Sequence, residues 1–176
     1  MVRIIGIIVI VTLVVSSAVY AYLGGFSKPA LSQTQLPVYI IAGKAYQGKA
    51  DTDTLQRIFD EAKQLHTDGR IRGTLAAAYY QTADEAKGNI KVWAGVLVRD
   101  SSVALPPGYL FRVFPSTHAV RAEIKAHFAV APAPDEVKKQ LRDFAKAQKL
   151  KPGGFVVEKY LNPREIVMEM PVAKTP

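Results

Sequence analysis

The feature that most constrains this chain is a pattern that occurs twice: a β-rich run, an amphipathic helix, and two further strand-like runs. In the first copy residues 38–46 are β-rich. Residues 51–65 then place Leu55, Ile58, Phe59, Ala62 and Leu65 on one helical face. Asp51, Thr52 or Asp53 can cap that helix, and Asp68-Gly69 can end it. Two strand-like runs follow, Thr74–Tyr80 and 90–98, joined by the turn QTADEAKGN. In the second copy Leu110–Phe114 and 119–128 form an extended stretch broken at Pro115-Ser116. A helix over 135–149 has Pro134 at its first turn, acids at its start, and Val137, Leu141 and Phe144 facing inward. Runs 155–161 and 165–172 complete the copy, joined by Asn162-Pro163-Arg164. Two such units predict an α+β domain with both helices on one face of a curved antiparallel sheet. The halves are 37–100 and 109–173, with Pro106-Pro107-Gly108 in the connector.

The two copies can be laid against each other, AAAYYQTAD on VVEKYLNPR, so that Tyr80 matches Tyr160 and Ala78 matches Glu158. Strand side chains alternate between faces. Ile90, Val92, Ala94, Val96 and Val98 make one apolar face, and Ile166, Met168 and Met170 another, and both are expected to lie under the helices. Trp93, Gly95 and Leu97 point the other way, as do Val167 and Glu169. Val156, Glu158 and Tyr160 share a face, and so do Ala76, Ala78 and Tyr80.

Ahead of the repeat, residues 4–26 carry no charge. About 20 apolar residues in a helix cross a bilayer's hydrocarbon core. The run therefore predicts a transmembrane anchor over 1–26, in contact with lipid through 4–26, with Tyr20 and Tyr22 at an interface. A cleaved signal peptide is the rival, with small-residue sites at Ser16-Ser17-Ala18 and Val19-Tyr20-Ala21. Arg3 on the near side leans the domain toward the extracytoplasmic side of a single-pass protein. Residues 27–36, SKPALSQTQL, are expected to be a linker.

The remaining 150 residues suit one domain with one core. With no cysteine, disulfides, thiol catalysis and thiolate metal sites are excluded. His66, His118 and His127 have no metal-ligand spacing, so no metal and no cofactor is expected. The formal charge of +8 is spread along the chain without a basic run, which argues for a basic surface rather than a nucleic-acid site. Oligomeric state is not coded in any pattern here.

The duplicated pattern, the first-half sequence AAYYQTADE followed by KVWAGVLV, and the ending VVEKYLNPREIVMEMPV together resemble the GyrI-like small-molecule-binding domain. This is the effector-binding domain of multidrug-responsive regulators; the N-terminal run resembles a membrane-anchored branch. The resemblance covers 37–173. It implies a concave face that holds an amphipathic, often cationic ligand. Glu158 stands at the position of the family's ligand-pairing carboxylate and Tyr160 at that of its tyrosine. With Tyr80 and Trp93 they form the expected ligand-binding set. The first half has Ala78 where the second has Glu158, so only one wall would be acidic. The resemblance leaves two alternatives: a hydrolase with Glu158 as base and Tyr160 as donor, or a structural domain that binds a protein partner.

Overall fold

A computed structural model describes residues 2–81, 88–115, 117–127 and 129–174. Its elements, in chain order, are α1 (Val2–Tyr22), β1 (Ala30–Leu36), β2 (Tyr39–Lys49), α2 (Asp53–Thr67), β3 (Thr74–Tyr80), β4 (Asn89–Val98), β5 (Leu110–Phe114), β6 (Thr117–Ile124), α3 (Pro134–Ala147), β7 (Leu150–Pro152), β8 (Phe155–Asn162) and β9 (Glu165–Lys174). The strands form one antiparallel sheet in the order β1-β6-β9-β8-β3-β4-β2-β5, with β7 on β9. The duplication is visible in that order. From the central β8–β3 pair outward, β8-β9-β6 mirrors β3-β4-β2. Most of the turn QTADEAKGN lies outside the described residues.

Connectivity forces the sheet to curl. Only Pro37-Val38 separates β1 from β2, yet the two strands are six places apart in the sheet. On a flat sheet six places span about 29 Å, whereas the link reaches about 11 Å. β5 and β6 repeat the arrangement across Pro115-Ser116. The two prolines thus sit at corners where the chain crosses between the ends of a curled sheet.

Both helices cover the outside of the curl. Leu55 of α2 packs with Ala77, Val92 and Ala94, and Leu65 with Ala42, Val96 and Val98. Val137, Leu141 and Ala145 of α3 pack with Val120, Ala122, Val156, Met168 and Met170. Among the described residues no helix packs on the inside. Leu36, Tyr39, Ile41, Ala76, Ala78, Phe114, Ala119 and Val157 are buried there against one another. Helix α2 begins at Thr52, whose side chain accepts from the Leu55 amide at 3.2 Å. Helix α3 begins at Pro134 with Asp135 and Glu136 in its first turn.

Two expectations are corrected. Among the described residues no helix is long and apolar enough to cross a membrane. The transmembrane anchor over 1–26, the bilayer contact through 4–26 and the single-pass extracytoplasmic localisation therefore lose their support. Helix α1 is present over Val2–Tyr22. Its end is tied to the domain. The Tyr22 ring lies 4.5 Å from the Arg164 guanidinium carbon, and the Leu23 carbonyl accepts from the His127 amide at 2.8 Å. The second correction concerns 27–36. The expected linker contains β1, which pairs with β6 from Ala30↔Glu123 to Leu36↔Thr117. Its polar residues belong to an edge strand, and Leu36 closes the inner core.

Candidate functional site

Cross-strand partners in an antiparallel sheet point to the same side, so register decides which residues the inside of the curl can offer. Glu158 lies opposite Ala77 and Met168, both packed under the helices. Tyr160 lies opposite Leu75 and Ile166, on the same outer face. Tyr80 lies opposite Phe155, and Trp93 opposite Ala78 and Ala45, all inside. The four residues expected to form one site therefore divide. Tyr80 and Trp93 come together on the inner face, and Glu158 and Tyr160 point the other way, into the layer between sheet and helices. The cause is the match between the two copies. Tyr79, not Tyr80, shares the face of Tyr160, and Ala77, not Ala78, shares that of Glu158. A slip of one residue turns every side chain of a strand over.

Glu158 is 5% exposed. The hydroxyl of Tyr160 stands beside the Glu158 carboxylate and the Tyr79 hydroxyl, and Glu158 Oε2 is buried without a hydrogen-bond partner among the described residues. Lys138 of α3 places Nζ 5.0 Å from the centroid of the Tyr79 ring and bonds Asp135 at 3.1 Å. Burial pushes the Glu158 carboxyl up to about 6, with the Tyr160 hydroxyl and the Lys138 charge opposing that rise. Burial beside Glu158 also pushes the Tyr79 and Tyr160 hydroxyls well above the usual phenol range. This is a closed polar group within the core, not a surface that meets solvent.

The inner face carries a different acid. Glu169, 1% exposed, accepts from the Tyr39 hydroxyl at 2.8 Å and pairs with Lys159 Nζ at 2.9 Å. Lys159 also donates to the Tyr39 hydroxyl at 2.8 Å and lies 4.9 Å from the centroid of its ring. Arg121 Nε stands 3.7 Å from the second Glu169 oxygen and 3.2 Å from Glu123. The trio fills the middle of the curl and neutralises its own charge. Burial and the Glu169 bond push the Tyr39 hydroxyl well above the usual phenol range. Strand alternation had placed Glu169 opposite the helix-facing methionines. Lys159 and Tyr39 were not singled out, because both partners reach Glu169 through pairings that local sequence does not show.

Toward one end of the inner face a cavity of about 230 Å³ opens between Ala45, Gln47, Tyr80, Lys91, Trp93 and Arg112. Its aromatic wall is continuous with the core. The Tyr80 ring lies 6.4 Å from Phe114 and 6.3 Å from Phe155, and these two lie 5.1 Å apart. Trp93 is fixed by a bond from its indole Nε1 to the Ile41 carbonyl at 3.1 Å. Trp93 pairs with Ala45, and Ile41 with Leu97, so the indole reaches across the Gly43↔Gly95 pair between them. A Cβ on Gly95 would lie 2.0 Å from the Ala42 carbonyl oxygen, so the strands can approach there only without side chains. Among the described residues no group of three histidine or acidic side chains could hold a metal ion.

No family model matches the chain, and no curated protein matches it. Solved structures do. The C-terminal domain of EcmrR superposes with a TM-score of 0.61 at 13% identity, covering 84% of this chain and 99% of that one. EcmrR in complex with DNA gives 0.64 at 12% identity; 84% of this chain is covered, and the match spans 58% of the length of that protein. SAV2435 bound to tetraphenylphosphonium gives 0.53 at 13% identity, covering 82% and 94%. At these identities the likeness is one of fold: the chain has the GyrI-like effector-binding fold that EcmrR and SAV2435 share.

Proposed function

We propose that this protein is a small-molecule-binding module whose ligand enters the cavity between Tyr80 and Trp93. The observation that carries the reading is that cavity: two aromatic walls, one of them pinned by the Trp93–Ile41 bond, open beside a filled and charge-neutral interior. The fold adds support, since SAV2435 holds tetraphenylphosphonium on the same architecture. At about 230 Å³ the cavity is smaller than the ~300–1,000 Å³ of sites for drug-sized ligands. A molecule of one or two rings suits it. Binding there draws on ring stacking and on burial of apolar area. The residues that a hydrolytic reading would require, Glu158 and Tyr160, lie on the other side of the sheet.

The test is nuclear magnetic resonance mapping of the labelled full chain against a set of one- and two-ring aromatic compounds. Shift changes are expected to cluster at Tyr80, Lys91, Trp93 and Arg112, and Tyr80→Ala should abolish them. Hits scattered over the surface, or no hits, would leave the domain as a structural module.

A further inference from the structure

We infer that the Tyr80–Trp93 cavity selects a planar aromatic anion, with a carboxylate as the best-fitting headgroup. The inference rests on the small-molecule reading and adds the ligand's charge. Two cations from different strands converge on the ring that forms the wall. Lys91 Nζ of β4 lies 5.8 Å from the Tyr80 ring centroid, and the Arg112 guanidinium carbon of β5 lies 6.0 Å from the same point. Both side chains line the cavity. Among the described residues neither has an ion-pair partner, and no acidic side chain lines the cavity.

Among the described residues, the two acids on β8 and β9 singled out above are engaged elsewhere. Glu169 is held by Lys159 and Tyr39, and Glu158 lies behind the sheet. Two like charges gathered on one ring repel each other, and a bound anion relieves that repulsion while gaining both attractions. The Arg112 fork can meet both oxygens of a carboxylate, with Lys91 supplying a second positive charge. Trp93 has spent its one donor on the Ile41 carbonyl, so it offers the ligand a face rather than a hydrogen bond. Ring recognition and charge recognition are thus divided between Tyr80 with Trp93, and Lys91 with Arg112.

The experiment is calorimetric titration of the full chain with 2-naphthoate, 2-naphthylmethanol and 2-naphthylmethylammonium, which share a ring system and differ in charge. The naphthoate is expected to bind ~10-fold or more tighter than the alcohol, the size of one charge-assisted contact, and the ammonium weakest. Lys91→Gln and Arg112→Gln, both at exposed positions, should each weaken naphthoate ~10-fold and leave the alcohol within about two-fold. Ammonium binding as tight as naphthoate overturns the inference while sparing the small-molecule reading. So does an unchanged naphthoate affinity in both variants. If none of the three compounds binds, the small-molecule reading fails and this inference fails with it.

Discussion

Lys159 Nζ lies 2.9 Å from Glu169 Oε2, and the Tyr39 hydroxyl bridges the two on the inner face of the curled sheet. A buried ion pair contributes little relative to well-packed apolar residues, but removing one partner leaves a charge without compensation. Lys159→Met should therefore destabilise the domain by about 3–5 kcal/mol. The triple variant Tyr39→Phe/Lys159→Met/Glu169→Met removes all three polar partners together and should recover most of that loss. Urea unfolding of the two variants checks this. A triple variant no more stable than Lys159→Met would mean that the trio stabilises the fold as a unit.

Glu158 gives the domain a pH dependence of known sign. Its carboxyl is raised from 4.5 to about 6 by burial, so between these values the folded chain binds more protons than the unfolded chain. Stability from this group is fully present below pH 4.5 and is lost as pH rises through about 6. At 1.36 kcal/mol per pH unit the difference is on the order of 2 kcal/mol. Tyr79 and Tyr160 titrate far above this window. The measurement is unfolding free energy of wild type minus that of Glu158→Gln, from pH 4 to 8. It should fall with rising pH across the window; a flat difference would place the carboxyl in water.

How far the sequence reached can be judged on particular strands. β3 was legible to its ends, because Thr74–Tyr80 is bounded by Gly73 and by a polar turn. The helices were legible from their apolar stripes, to within two residues at each end. The inner placement of Trp93 followed from alternation alone. What failed was the match between copies. A pair of tyrosines, Tyr79-Tyr80, lies against a single Tyr160, and nothing local says which of the two corresponds to it. Only the pairing of Ala77 with Glu158, across 81 positions of chain, decides it. β1 failed for a related reason: its partner β6 is far along the chain, and SQTQ on its own looks like solvated polypeptide. The apolar run at the N-terminus was judged on composition, and composition did not foresee that its end docks on Arg164 and His127.

Gly95 is the point at which the cavity wall is most sensitive to a small change. Gly95→Ala places a Cβ 2.0 Å from the Ala42 carbonyl oxygen, and the obstacle is backbone rather than a mobile side chain. Strands β2 and β4 must part, and the Trp93–Ile41 bond that crosses this pair must lengthen. A loss of about 1–3 kcal/mol is expected from overpacking, together with a red shift of the emission of Trp93, the only tryptophan. Gly69→Ala serves as the control. Its added Cβ meets nothing within 4 Å, although its φ of +69° carries a local backbone cost. That variant should lose stability without moving the tryptophan spectrum. Equal spectra for the two variants would show that the indole is not held by the glycine pair.

Thr52 links the start of α2 to the strand that carries one wall of the cavity. Its oxygen accepts from the Leu55 amide at 3.2 Å and lies 2.8 Å from the Tyr46 hydroxyl, which in turn bonds the Lys49 carbonyl at 2.8 Å. Tyr46 has a single proton, and the Lys49 carbonyl can only accept. Tyr46 therefore donates to Lys49, and Thr52 donates to Tyr46. The result is a three-bond chain from the last turn of β2 to the first turn of α2. Thr52→Ala removes the cap and the donor together and should cost about 1 kcal/mol. Thr52→Ser keeps both and should cost little. Tyr46→Phe breaks the middle of the chain but leaves the cap in place. If the three bonds act as a unit, the double variant Tyr46→Phe/Thr52→Ala will be more stable than the sum of the single losses predicts, by about 0.5 kcal/mol or more. Additive losses would show that the cap works alone. In that case hydrogen exchange at Ala45 and Gln47 should not change in Thr52→Ala. With coupling, exchange at those two cavity-lining amides should quicken, because the helix would no longer brace the end of β2.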